Sequence, residues 1–246
     1  MLIKILRLLS EIGLRSFMVF LSSRYFITKD VIYVHTSLGK VAVRPRTSDI
    51  KVLYSCIFEE YRYLDRIIPE GFTFYDFGGY TGYSALAAKI FLKPSIMHIF
   101  EPIKENFELA KINLKNFSGV SFHNQGVGSE TKSIKMTAKR DEHWGWSELE
   151  TNISSPEMWQ IVSIVKPTTI TVDKTVFNFA KFDIEGSEKC LLVGYNMNWL
   201  QDFDAILIEF HDNIVPGVST QIVGKLSQKF SMRELGQEKI LFIKKA

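Results

Sequence analysis

Acidic and imidazole side chains fall where short apolar runs end. Asp76 lies within FYDFGGYTGY (74–83), just ahead of Gly78, Gly79 and Gly82. Glu101 follows IMHIF (96–100), Asp183 and Glu185 follow FAKF, and Glu209 and His211 close DAILIEFH. Such groups can take a proton, hold a cation or accept hydrogen bonds from hydroxyls. Glycines between a strand and a helix let the backbone come close to a ligand.

The glycine turn is not built for a pyrophosphate. In the G-x-G-x-x-G register, Tyr80 and Tyr83 stand where the later glycines should be, and no G-K-[ST] follows. The Asp76 carboxylate would repel a phosphate at this point, so an uncharged or cationic ligand suits it better. Twenty-five residues on, Glu101 is placed to accept hydrogen bonds from both hydroxyls of a ribose. A ribose-bearing ligand with a positive centre and no phosphate is S-adenosylmethionine. Solvated strand-end acids remain the plainer alternative for Asp76 and Glu101.

These residues lie in segments that resemble the FkbM-type methyltransferases, a branch of the class I S-adenosylmethionine-dependent enzymes. The resemblance starts at VRPRTSDIKVLYSCIFEEY (43–61) and runs through DFGGYTGY and IFEP-x-x-x-N, which ends at Asn106 with Asn113 beyond. It continues through NQGVGS (124–129), FAKFDIEGSE (179–188) and IEFH (208–211), about two thirds of the chain. Gly79 and Tyr80 depart from it, standing where the family usually has alanine and asparagine. The resemblance implies that Asp76, Gly78 and Gly82, with Gly79 in the same turn, line the methionine end of the cofactor. It also implies Glu101 on the ribose and Asn124, Gln125 and Gly126 beside the adenine. The acceptor it implies is a sugar hydroxyl of a glycan, glycolipid or glycosylated metabolite.

Methyl transfer from a sulfonium needs alignment of nucleophile, methyl carbon and sulfur. An alcohol acceptor must also lose its proton, for which a general base helps. His211 is the first candidate, because its ordinary pKa lies near neutrality; a loop histidine beside Asp212 is the bland alternative. Asp183 and Glu185 are the other candidates, and Glu209 is a candidate for the acceptor. HWGWSELE (143–150) offers Trp144 and Trp146 as stacking faces for a sugar, or as anchors for a long excursion. The remaining histidines show no ligand spacing, so no metal is expected. An amine or protein acceptor is a rival, as is a non-catalytic member that binds the cofactor or a partner.

The elements that must position these groups follow from hydrophobic patterning. Apolar runs at 72–77, 96–100, 120–124, 179–184 and 204–210 alternate with helical segments at 81–91, 103–116, 187–195 and 219–229. A closing strand pair over 231–245 turns at Gly236. This predicts an α/β fold: a Rossmann-like, mostly parallel sheet of about seven strands, helices on both faces and an antiparallel last strand. Ahead of it, 31–36 and 40–45 read as a β-hairpin, and Asp49 as the N-cap of a helix over 50–68. The domain division is 1–48, helix and hairpin, and 49–246, catalytic domain, with 128–168 as a polar, Trp-rich insert.

The chain has 246 residues, 46% hydrophobic and 23% charged, which excludes disorder and a multi-span membrane protein. Cys56 and Cys190 in apolar contexts read as reduced thiols of a cytoplasmic protein. The formal charge of +3 resides within residues 1–30, and the balanced remainder argues against nucleic acid as partner. Lys4, Arg7, Glu11 and Arg15 interrupt the apolar start, so it is neither a span nor a signal peptide. Residues 1–24 instead predict an amphipathic helix, for peripheral membrane contact or for docking on protein, its own domain or a second copy.

Overall fold

Continuous apolar runs such as FTFYDF and NFAKF suit strands covered on both faces, and the structure uses them so. The computed structural model describes residues 31–61, 63–138, 158–185, 187–193, 197–236 and 238–245, with Ser10 and Gly13. The expected N-terminal helix, with its membrane or self-association role, lies outside these, as do Trp144 and Trp146. Among the described residues no helix is long and apolar enough to cross a membrane.

The hairpin is β1 (Ile32–Thr36) against β2 (Gly39–Val43). The main sheet takes β3 (Thr73–Phe77), β4 (Ile96–Phe100), β5 (Val120–His123), β9 (Asn178–Phe182), β10 (Ala205–Glu209), β11 (Phe230–Gly236) and β12 (Lys239–Lys244). Their order is β11-β12-β10-β9-β3-β4-β5, with the central pairs parallel and β12 antiparallel to both neighbours. The last strand therefore lies inside the sheet, between β10 and β11. The expected seven-stranded α/β fold is present.

Alternation divides the core. Phe74, Phe179, Leu207 and Leu241 face α1 (Asp49–Ser55) and α2 (Tyr83–Phe91). Tyr75, Ala180, Ile206 and Phe242 face the other way, onto α4 (Val218–Leu226) and the turns at Lys189–Val193 and Met197–Asp202. The helix expected over 187–195 is thus a single wide turn. α3 (Lys104–Leu114) adds Leu114 to the first core.

Three local expectations are corrected. The helix after Asp49 does not run on to 68: α1 passes into a π-helical turn, Cys56–Glu60, which carries Glu60 to the end of the sheet. Asp49 does not cap that helix either, because its carboxylate is occupied by Arg44. Oδ2 accepts from the Arg44 amide at 2.8 Å and from Nε at 3.0 Å, and Oδ1 accepts from Nη2 at 2.8 Å. Residues 128–168 are not simply a polar break. β6 (Gly126–Val127), β8 (Met158–Val165) and β7 (Lys132–Ala138) make a small sheet in that order. Its alternating Ile134, Met136, Val162 and Ile164 pack with Ile103 at the start of α3.

The hairpin is fastened to the main domain through Asn113 of α3. Its Oδ1 accepts from the Ala42 amide at 2.7 Å, while Nδ2 donates to Ala42 O at 3.2 Å and Thr81 O at 2.9 Å. Asn113→Ala leaves a buried donor and two acceptors without that partner. It should lower unfolding free energy by about 3 kcal/mol, read from urea denaturation with an unchanged slope.

Candidate functional site

A cavity of about 750 Å³ opens at the carboxyl ends of β3, β4, β9 and β10, where open α/β sheets bind ligands. Gly78, Gly79, Glu101, Gly126, Asp183, Glu185, Glu209 and His211 line it, as the sequence suggested. Four expected contacts are not on its walls. Asp76 is fully buried behind Gly79. Gly82 turns toward α3, where a Cβ would stand 3.1 Å from Ala110 Cα. Gln125 is also absent from the lining. Asn124 is absent too, and its amide ties down the end of β4 by donating to Glu101 O at 2.9 Å and Pro102 O at 3.1 Å.

The glycine turn is held by the sheet rather than left open as an anion cradle. The amides of Gly78 and Gly79 both donate to Phe100 O, at 3.0 and 2.9 Å. Gly78 has φ +88°, and a Cβ there would fall 1.8 Å from Asp183 O. Only glycine lets β3 and β9 close together at this point.

Glu101 stands at the turn's edge with ordered oxygens. Oε2 accepts from the Tyr80 amide at 2.8 Å, and Oε1 accepts from the Ile103 amide at 2.9 Å and Asn106 Nδ2 at 3.4 Å. A carboxylate has about four lone-pair sites, so it can still receive ribose hydroxyls. Burial pushes its pKa up to about 8 despite those donors. Asn106 Oδ1 in turn accepts from Arg44 Nη1 at 2.9 Å, which joins the hairpin's ion pair to the cavity.

Residues that the sequence reading did not assign carry much of the electrostatics. Lys181, in the middle of β9, pairs across the sheet with Asp76. Its Nζ lies 3.0 Å from Asp183 Oδ2, 3.5 Å from Glu60 Oε1 and 3.9 Å from Asp76 Oδ1. Burial opposes its charge, yet Asp183, Glu60 and Asp76 hold its pKa well above the ordinary lysine value. Lys239 lies 3.1 Å from Glu209 Oε2. The signal for Lys181 was a lysine inside an apolar strand, which requires buried partners. Nothing local announces Glu60 or Lys239.

These two ammonium groups do not neutralise the acids around them. Burial pushes Asp76 up to about 7, with Lys181 pulling it back. Burial and then Asp183 push Glu185 up to about 8 and Glu209 to about 7. His211 Nδ1 is 2.8 Å from Glu188 Oε1, and Nε2 faces Asp183 Oδ1 at 3.7 Å and Glu185 Oε2 at 3.5 Å. Burial disfavours the imidazolium, but Glu188 and the other acids outweigh it and raise His211 to about 9. The surrounding carboxylates thus favour the protonated ring of His211. Lys51, Lys132, Lys181 and Lys239 line the same cavity as Glu60, Glu101, Asp183, Glu185, Glu209 and Glu238, so its charges are nearly balanced.

No protein-family model matches the chain, and neither does any curated protein. Among solved structures it is similar to TYW2 of M. jannaschii, crystallised with AdoMet, at 8% identity. That match covers 89% of this chain and 87% of the other, with a TM-score of 0.48. It is similar to TYW2 of P. horikoshii, in complex with MeSAdo, at 9% identity, over 90% and 74% of the two chains, with a TM-score of 0.45. An rRNA methylase from Streptococcus thermophilus gives 11% identity over 74% and 92%, with a TM-score of 0.44.

The raised values fix the sign of a pH effect. Glu101, Glu185 and His211 keep protons in the folded chain that the unfolded chain gives up at lower pH. Folding is therefore coupled to proton uptake from about pH 4.5, where the unfolded glutamates titrate, to about pH 9, where folded His211 does, and stability falls as pH rises through that window. The ligand-free protein should lose several degrees of melting temperature from pH 7 to pH 9 in differential scanning fluorimetry. Glu101→Gln should flatten that slope; equal slopes would refute the placement of Glu101.

Proposed function

We propose that the chain is an S-adenosylmethionine-dependent methyltransferase of the FkbM type, acting on a sugar hydroxyl. The observation that carries this is the glycine turn. Its two leading amides are spent on Phe100, so the turn offers no anion cradle, and Glu101 stands at its edge as an acceptor for hydroxyls; the cavity suits a ribose-bearing ligand with no phosphate at the turn. Glu101 would hold the ribose, the Gly78–Tyr80 backbone the methionine end, and the Gly126–Gly128 edge the adenine. When bound, the cofactor supplies a methyl group already activated by its sulfonium.

The chain's own task is then positioning. Asp183, Glu185, Glu209 and His211 lie together at the ends of β9 and β10 and offer acceptors and a donor to a hydroxyl-bearing acceptor. Ser187 and Asn213 add neutral polar groups beside them. The carboxylate cluster at the ends of β9 and β10 can accept from hydroxyls, which supports a glycan or small-molecule acceptor. It also makes an amine acceptor the second reading, since carboxylates attract ammonium groups.

Calorimetric titration with S-adenosylhomocysteine tests the cofactor. Wild type should bind in the micromolar range, and Glu101→Ala should bind at least tenfold more weakly, a change of about 1.4 kcal/mol or more. Absence of binding by folded wild type would leave the non-catalytic reading in front. His211→Ala should retain that binding while turnover with a sugar acceptor drops at least tenfold. Turnover with amines and not with sugars would move the second reading ahead.

A further inference from the structure

We infer that Asp183, Glu185 and His211 form a binding site for one divalent metal ion of the Mn2+ or Zn2+ kind. Asp183 lies just beyond β9, and His211 lies just beyond β10, the parallel neighbour of β9. Glu185 stands two residues past Asp183 with φ +52°, a conformation that a non-glycine residue adopts at a cost. One ligand atom from each of the three lies within 4.8 Å of the other two.

The separations are those of donors around an ion. His211 Nε2 is 3.7 Å from Asp183 Oδ1 and 3.5 Å from Glu185 Oε2, too far for good hydrogen bonds. Two donors bound at about 2.1 Å to a common cation stand roughly 3 to 4 Å apart. Each donor is also held by a second group. Lys181 takes Asp183 Oδ2 at 3.0 Å and leaves Oδ1 toward the others. Glu188 Oε1 pairs with His211 Nδ1 at 2.8 Å, the outer carboxylate that commonly orients a ligating imidazole, so Nε2 faces the carboxylates.

Glu185 Oε2 supplies an independent sign. It is shut off from solvent and has no hydrogen-bond partner among the described residues; His211 Nε2, at 3.5 Å, stays beyond good hydrogen-bond distance, so its lost hydration is poorly replaced. A cation among the three would replace it. One imidazole with two carboxylates suits Mn2+ or Zn2+ better than a thiolate-seeking metal. From the sequence, an ion shared by Asp183 and His211 is conceivable but unsupported, because the ligands come from two strand ends and the other histidines show no spacing; the expectation there is no metal. A use in catalysis, with the ion lowering the pKa of a coordinated acceptor hydroxyl, rests on the function proposed above; occupancy of the site does not. In the loaded protein His211 is a ligand rather than a base.

The full chain, stripped with chelator and free of cofactor, is titrated with MnCl2 while free Mn2+ is followed by its paramagnetic resonance signal, with ZnCl2 as competitor. Wild type should bind one equivalent at micromolar concentration. Glu185→Gln and His211→Gln should each weaken binding at least tenfold, and Glu188→Gln, acting through His211, roughly tenfold. Circular dichroism confirms that each variant is folded. No Mn2+ or Zn2+ bound by wild type, or equal binding in the variants, overturns the site. S-adenosylhomocysteine binding without metal binding overturns this inference alone, whereas metal binding without it overturns the proposed function and leaves the site standing.

Discussion

The site depends on one buried ammonium group. Lys181 occupies the middle of a fully buried strand, where an isolated charge would cost several kcal/mol. It is tolerated because Asp183, Glu60 and Asp76 reach it from β9, the π-helical turn and β3. The dependence is mutual: without Lys181, three carboxylates would share a dry pocket with little to offset their repulsion. The wide turn at Cys56–Glu60 follows from the same need, since it delivers Glu60 to the end of the sheet. Its form reflects that electrostatic demand as well as helix propensity.

The glycine turn and the acids above it then divide the work. Gly78 and Gly79 let three strands meet without a side chain between them, and their amides are used up in doing so. Recognition falls to groups that remain available, Glu101 on one side and the Asp183–His211 cluster on the other. The glycine turn is thus a seam in the sheet, and polar recognition is left to the side chains around it.

The sheet was legible because its strands are continuous apolar runs and its helices obey a different period; β3, β4 and β9 fall within a residue or two of their expected spans. The acids at strand ends were legible because a charge directly after an apolar run must face water or a ligand. What was hidden depends on distant pairing. Asp49 reads as a helix cap until Arg44 is seen to claim it. Gly82 and Asn124 read as ligand contacts, yet one faces α3 and the other fastens a loop. The strand period of β8 was masked by large apolar residues on its outward face, where Trp159 and Ile161 are exposed, so that both faces read as apolar. Glu188 drew no reading of its own, because only the fold sets it against His211.

The clamp that fastens the hairpin has a mechanical reading. Arg44 grips Asp49 and Asn106, and Asn106 donates to Glu101, so the end of β2 touches the cavity wall through two side chains. A pull on that strand reaches Glu101 with little slack. By reciprocity, a molecule that engages Glu101 stiffens the hairpin in return. The Arg44 guanidinium is thereby the long arm of a lever whose short arm, Asn106, ends at the pocket wall.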